Sequence, residues 1–182
     1  IPDITDTSDT HSTRKPTLRT EELNRSRHHE SIPYHTMPPE RLTVEELQAF
    51  TEAARNEEGA RKLLLLTILG AGPRLDEVVN LLAEDVSLAH GHLNIRHPLS
   101  DVSRQVPLPE PLLTKLGDHI KGRGSEFLFG GLDGGRLTAQ QVCWLVRQTA
   151  EEAGIERRVS VHEIRRSVVD QLLKRDGVTN GE

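Results

Sequence analysis

Three short motifs fix where helices begin in this chain. Thr43-Val44-Glu45-Glu46, Thr138-Ala139-Gln140-Gln141 and Ser160-Val161-His162-Glu163 each set a hydroxyl three residues ahead of a Glu or Gln. In such a capping box the hydroxyl takes the third helical N–H, and the Glu or Gln reaches back to the N–H of the capping residue. Apolar residues follow each box at helical spacing. They are Val44, Leu47, Phe50 and Ala53 after the first, and Val142, Leu145, Val146 and Ala150 after the second, where Cys143 is also read as inward. After the third they are Ile164, Val168, Leu172 and Leu173. Gly154 and Gly177 are placed to stop the second and third of these helices. A fold built on this chain must accommodate at least three helices with defined starts.

Between the boxes the pattern varies. A helix is predicted from Gly59 to Leu69, and its Leu63-Leu64-Leu65-Leu66 run is apolar on most sides, so it should be buried. Gly70-Ala71-Gly72-Pro73 breaks it. Pro73 suits the first turn of the next helix, which carries Leu75, Val78, Val79 and Leu82 on one face. The period then changes to two. Leu93 and Ile95, then Val106 and Leu108, alternate with polar neighbours about a turn at Pro98 to Asp101, which predicts a β-hairpin. A helix over Glu110 to Lys121 follows. The fold class is therefore α+β: one mainly helical domain over 41–182, with a small antiparallel sheet.

Residues 1–40 differ from the rest. They are rich in Thr, Ser, Asp, Arg, His and Pro, with single scattered apolar residues, and Met37-Pro38-Pro39 closes them. So little apolar surface does not offset the entropy of ordering, and a polar tail or linker is expected. The chain of 182 residues has a formal net charge of −5, so it lacks the strong overall basicity common in nucleic-acid binders. No apolar run is long enough for a membrane helix. One cysteine, Cys143, excludes an internal disulfide framework, and no secretory leader pattern opens the sequence, so a cytoplasmic protein is expected. The first residue is Ile1 rather than Met, which suits a fragment or a processed chain.

Two segments carry the chemistry. In His162-Glu163-Ile164-Arg165-Arg166, His162 and Arg165 are three apart and share one side of a helix's first turn. Backbone N–H groups and the helix dipole there favour an anion, and Arg presents paired donors to phosphate. A solvated helix face is the plainer alternative. Arg74 follows Gly72-Pro73 at another helix start, with Glu77 one turn on. It is either an exposed ion pair or a buried, carboxylate-fixed Arg aimed at an anion. Other features are weaker. His90-Gly91-His92 with His97, and His28-His29, lack the carboxylate or Cys of a metal ligand set. Gly130-Gly131-Leu132-Asp133-Gly134-Gly135 lacks the ending of a nucleotide loop. From Glu156 to Arg175 the local charge is +3, a basic face suited to phosphates.

Together these segments resemble the tyrosine recombinases of the phage-integrase family. Leu69-Gly70-Ala71-Gly72-Pro73-Arg74-Leu75-Asp76-Glu77-Val78 is similar to its first-arginine motif, and Val161-His162-Glu163-Ile164-Arg165-Arg166-Ser167 to its His-x-x-Arg box. The order between them also matches: Asp85, a hairpin ending Arg104-Gln105-Val106-Pro107-Leu108, Leu128-Phe129, and a capped helix ending Ala153-Gly154-Ile155. The resemblance spans Leu42 to about Val178. It implies attack of a tyrosine hydroxyl on a DNA phosphodiester, giving a 3′-phosphotyrosyl link and a 5′-hydroxyl. Arg74 and Arg165 would clamp the non-bridging oxygens, His162 would assist proton transfer or phosphate binding, and Glu77 would orient Arg74. Arg96, Arg104 and Arg166 would contact DNA. Duplex DNA is the implied partner, with a homo-oligomer on the DNA; no cofactor, metal or membrane is implied.

The sequence departs from the family in three places. Arg96 to Ser103 of the hairpin contains no Lys, where the family carries its general acid. Arg166 follows the box arginine where the family often has His. No Leu-Gly-His segment or tyrosine follows the box, and Tyr34, the only tyrosine, precedes the domain. The expectation is thus site-specific recombination or integration by strand breakage and rejoining, with this chain incomplete or inactive. The alternatives are a non-catalytic DNA-binding or regulatory module on the same fold, and a helical interaction domain whose arginines make only structural ion pairs.

Overall fold

A computed structural model describes residues 41–121, 125–130 and 135–175, with side chains up to residue 171. All of these lie in one compact unit, Pro38–Glu182. The expected tail over 1–40, Tyr34, His28, His29, the Gly131–Gly134 turn, the inward Leu172 and Leu173, and the Gly177 stop fall outside the described side chains or residues.

The described residues form six α-helices and a three-stranded antiparallel sheet, the fold class expected from the sequence. The elements run α1 (Val44–Asn56), α2 (Gly59–Ala71), α3 (Leu75–Val79), β1 (Val86–Ser87), β2 (His92–Arg96), β3 (Ser103–Pro107), α4 (Glu110–Ile120), α5 (Ala139–Glu152) and α6 (Val161–Arg175). Helix α2 is the hub: it packs against α1, α4 and α6. Its Leu63, Leu64, Leu65 and Ile68 are buried, and each such side chain contributes about 1.5–3 kcal/mol. Around it the core gathers Phe50, Leu93, Ile95, Leu116, Leu128, Val142, Val146 and Ile164.

The three capping boxes form as predicted. Thr43 Oγ1 accepts from Glu46 N at 3.1 Å, Thr138 Oγ1 from Gln141 N at 3.2 Å, and Ser160 Oγ from Glu163 N at 3.3 Å. Some facing predictions do not hold. Helix α1 turns Leu47, Phe50 and Ala54 inward, leaving Val44 50% exposed and Ala53 half-buried. Val44 is the first residue of the helix, just outside the packed turns. On α5, Cys143 is exposed, because it lies 100° round the helix from the buried Val142.

Helix α3 starts and stops differently from expectation. Gly72 takes a left-handed conformation at φ 54°, and Arg74 is extended at ψ 161°, so Pro73 precedes the helix rather than entering its first turn. The helix ends after five residues, where the Asn80 amide donates to Asp76 O at 2.7 Å and competes with further winding. Leu82 therefore leaves the α3 face and bridges to Phe127. The hairpin forms as read, with Leu93 opposite Val106 and Ile95 opposite Arg104. The two-residue strand β1 was not anticipated; it pairs Val86 with Leu93.

One arginine ties the first helix to the last. Arg157 Nε and Nη2 each donate to Glu46 at 3.0 Å, and Nη1 donates to Glu163 at 2.7 Å. Both acceptors are the acidic members of capping boxes, so each carboxylate serves a helix start and the arginine together. The Arg157 guanidinium holds the Glu46 carboxyl below the usual carboxylate range. Beside it, Leu42 N donates to the buried Ser167 Oγ at 2.7 Å, and Arg41 pairs with Asp170 at 3.0 Å. Arg157→Ala is expected to lower unfolding free energy by about 2 kcal/mol, since charge-assisted bonds to two partly buried carboxylates are lost. Arg157→Lys should restore little, because a point charge does not span both carboxylates. Urea unfolding of the three chains checks this.

Candidate functional site

The site is assembled from three distant segments. Gly72 ends α2 with its N–H donating to Ile68 O at 3.0 Å, and its left-handed backbone suits glycine. Its carbonyl is thereby left outside the helical ladder, where it accepts from Arg165 Nη1 at 2.6 Å, across 93 residues of sequence. Two residues on, Arg74 N donates to Glu77 Oε2 at 2.6 Å, closing the first turn of α3. Glu77 is only 1% exposed. Both its oxygens receive the fork of Arg104, at 2.7 Å each, from β3. Arg165 Nη1 stands 3.9 Å from Glu77 Oε2.

Electrostatics follow from this crowding. Burial pushes the Glu77 carboxyl up, but the hydrogen bonds from Arg104 and the Arg74 N–H, with the charges of Arg104 and Arg165, outweigh it and hold it below the usual range. Arg104 is raised by its bonds to Glu77. Arg165 is lowered, chiefly by burial and then by the positive charges of Arg104 and Arg74, against the attraction of Glu77. Two guanidinium groups, those of Arg104 and Arg165, thus meet one carboxylate, and the charge of Arg74 acts on Arg165, so the cluster stays cationic.

Arg74 and Arg165, about 90 residues apart in sequence, are therefore brought into one electrostatic neighbourhood. Glu77 meets the backbone N–H of Arg74, while its side-chain oxygens are occupied by Arg104, so it orients Arg104 where orientation of the Arg74 side chain was expected. Arg104, read as a DNA contact, is built into the cluster itself. Arg96, read the same way, lies on the opposite face of the hairpin. Its guanidinium bonds to the buried Asp85 at 2.8 Å and to Glu84 at 2.7 Å, so its charge is balanced locally. His162 is exposed in the first turn of α6, three residues before Arg165 and on its side of the helix. Arg166 is exposed and turned 100° from Arg165.

The sequence reading missed two carboxylate roles. Asp85 anchors Arg96 and accepts from Leu82 N at 2.9 Å, and Glu163 binds Arg157 as well as capping α6. In the strand register Arg104 lies opposite Ile95, the neighbour of Arg96, so the two arginines belong to opposite faces of the hairpin. Among the described residues no three His, Cys, Asp or Glu gather as a metal site, and no helix is long and apolar enough to cross a membrane.

This geometry accords with family comparison. Residues 40–178 match the phage integrase family, and the chain belongs to it. It is 28% identical over 142 residues to tyrosine recombinase XerA of Pyrococcus furiosus, covering 75% of this chain and 49% of that one. To XerA of Pyrococcus horikoshii it is 30% identical over 142 residues, with 75% and 48% covered. The chain spans about half the length of the curated relatives it matches. Among solved structures, XerA recombinase aligns with a TM-score of 0.66 at 22% identity, covering 83% of this chain and 55% of that one. The XerH site-specific recombinase bound to its difH substrate aligns at 0.64 and 25% identity, covering 76% and 44%. The lambda integrase catalytic core aligns at 0.59 and 17% identity, covering 76% and 85%.

Removing the central carboxylate should be costly. Glu77→Gln is expected to destabilise the domain by about 3 kcal/mol at neutral pH, because it strands partly buried guanidinium groups. Since the folded carboxyl titrates below its ordinary value of 4.5, its contribution is present above that value and is lost as pH falls through the lower folded value. The stability gap between wild type and Glu77→Gln should therefore narrow on acidification, as measured by urea midpoints at pH 7 and in the acid range.

Proposed function

We propose that the Arg74, Arg104 and Arg165 cluster grips a phosphate of duplex DNA, and that the domain serves site-specific recombination or integration by strand breakage and rejoining. The observation that carries this is the imbalance of charge: the guanidinium groups of Arg104 and Arg165 meet one buried carboxylate, and the exposed Arg74 adds a further positive charge that acts on Arg165. A guanidinium has five donors, and Gly72 takes one from Arg165. Guanidinium groups already oriented and partly desolvated stabilise the charge that builds on non-bridging oxygens during phosphoryl exchange. His162, beside Arg165, is the group for proton transfer or phosphate contact. Membership of the phage integrase family supports the reaction class.

In this reading the attacking group is a tyrosine hydroxyl. The described residues contain none, and Tyr34 lies outside them. Several copies on one DNA, in the cytoplasm and without metal or cofactor, complete the proposal. A non-catalytic DNA-binding module on the same fold is favoured by one observation: the hairpin from Arg96 to Ser103 carries no lysine to protonate a leaving oxygen.

The 182-residue chain is expected to bind duplex DNA and to form no covalent adduct by itself. Affinity should fall with salt, with a log–log slope of about −3 if three phosphates are contacted. Arg165→Ala should weaken binding about tenfold, from loss of a charge-assisted phosphate contact. A nicked suicide substrate resolved on a denaturing gel tests the second part. A covalent band that persists in Tyr34→Phe would identify another attacking residue; a band that this change abolishes would make Tyr34 the nucleophile.

A further inference from the structure

The tip of the hairpin is the least covered apolar surface among the described residues. Leu99 is 89% exposed and Val102 is 69% exposed. The tip is nonetheless a defined structure. His97 N donates to Val102 O at 3.0 Å, continuing the β2–β3 ladder, and inside that pair Ser100 N donates to His97 O at 3.3 Å and Leu99 N to His97 Nδ1 at 3.2 Å. The strands below it are anchored on both faces by carboxylates buried in the domain. Glu77 holds Arg104 on one face, and Asp85 holds Arg96 on the other. The hairpin is a braced arm that presents two apolar side chains at its end.

Strand parity relates that end to the arginine cluster. Ile95 and Arg104 are partners and share a face, and the ladder continues from them to His97 and Val102. Val102 is therefore on the same side as Arg104, about 7 Å further along the strand at two residues of about 3.3 Å each. That is about two base-pair steps of duplex DNA at about 3.4 Å per step. A phosphate held by Arg104, Arg74 and Arg165 would place neighbouring base steps at the tip. Exposed apolar side chains beside a cationic phosphate grip match one kind of partner: duplex DNA whose bases can be parted by an apolar wedge.

We infer that Leu99 and Val102 form a wedge that enters a base step next to the gripped phosphate and unstacks it. The inference rests on the DNA-gripping reading above and adds deformation of the duplex to it. Pyrimidine–purine steps, which unstack most easily, are the preferred sites.

The test mixes the 182-residue chain at low salt with a short duplex carrying 2-aminopurine at pyrimidine–purine steps, with binding followed by anisotropy. Wild type should raise 2-aminopurine fluorescence about threefold as bases unstack. The Leu99→Ser/Val102→Ser chain should bind within about threefold of wild type, since its arginines are intact, and leave fluorescence at the level of free duplex. Leu99→Ser alone should give an intermediate signal. Both side chains are exposed, so thermal unfolding should be unchanged. Bound wild type that leaves the bases stacked, or a rise that survives the double substitution, overturns the wedge alone. A wild-type chain that binds no duplex overturns the wedge and the DNA reading together. A wild-type chain that self-associates without DNA, while the double variant stays monomeric by light scattering, makes the tip a contact between copies and overturns the wedge.

Discussion

The buried carboxylate of Glu77 is the interaction on which the site depends. It holds the start of α3 through the Arg74 N–H, the start of β3 through Arg104, and it faces α6 through Arg165. A carboxylate buried this deeply is expensive unless paired, and a guanidinium stripped of water is expensive for the same reason. The sheet and α6 therefore lower each other's cost only when they dock against the same short helix. A misplaced strand would leave a charge stranded, which penalises alternative packings more strongly than it rewards the native one. Helix α2, with its buried leucines, ends at Gly72 and so places the carbonyl that receives Arg165.

This arrangement also separates two uses of arginine. Arg96 and Arg157 are balanced by two carboxylates each, and they brace the hairpin and the first and last helices. Arg104 and Arg165 share one carboxylate, and the Arg74 side chain stands exposed. The same residue type thus supplies structure where carboxylates are plentiful and, in the proposed function, binding capacity where they are scarce. The overall negative charge of the chain hides this, because charge is distributed by site and not by total.

Helix starts, the hairpin and the two arginine segments were legible because their signals are local. Thr43 and Glu46 are the two ends of one four-residue box, and Leu93 and Ile95 show their period within one strand. Local reading failed where a neighbour decided the outcome. Val44 and Ala53 suit a helix face by spacing, but the packing of α1 selects Ala54. Pro73 suits a first helical turn, but Gly72 and Arg74 adopt other backbone angles around it. The partnership of Glu77 with Arg104 spans 27 residues and passes through a strand register that no single segment announces. Spacing within one helix made Arg74 the nearer candidate.

The strap between the two ends of the domain has a consequence for synthesis. Residues 41, 42 and 46 find their partners 129, 125 and 111 positions later, at Asp170, Ser167 and Arg157. A ribosome delivers α1 long before the residues that fasten it exist. During that interval Phe50 and Leu47 have α2 to cover them, but the carboxylate of Glu46 has only its own capping box. Closing so long a loop is an end-stage event, and the helix bearing Arg165 docks in the same step. The proposed phosphate grip is therefore completed only once α6 has emerged, so nascent fragments that stop short of α6 hold α1 without yet holding that cluster.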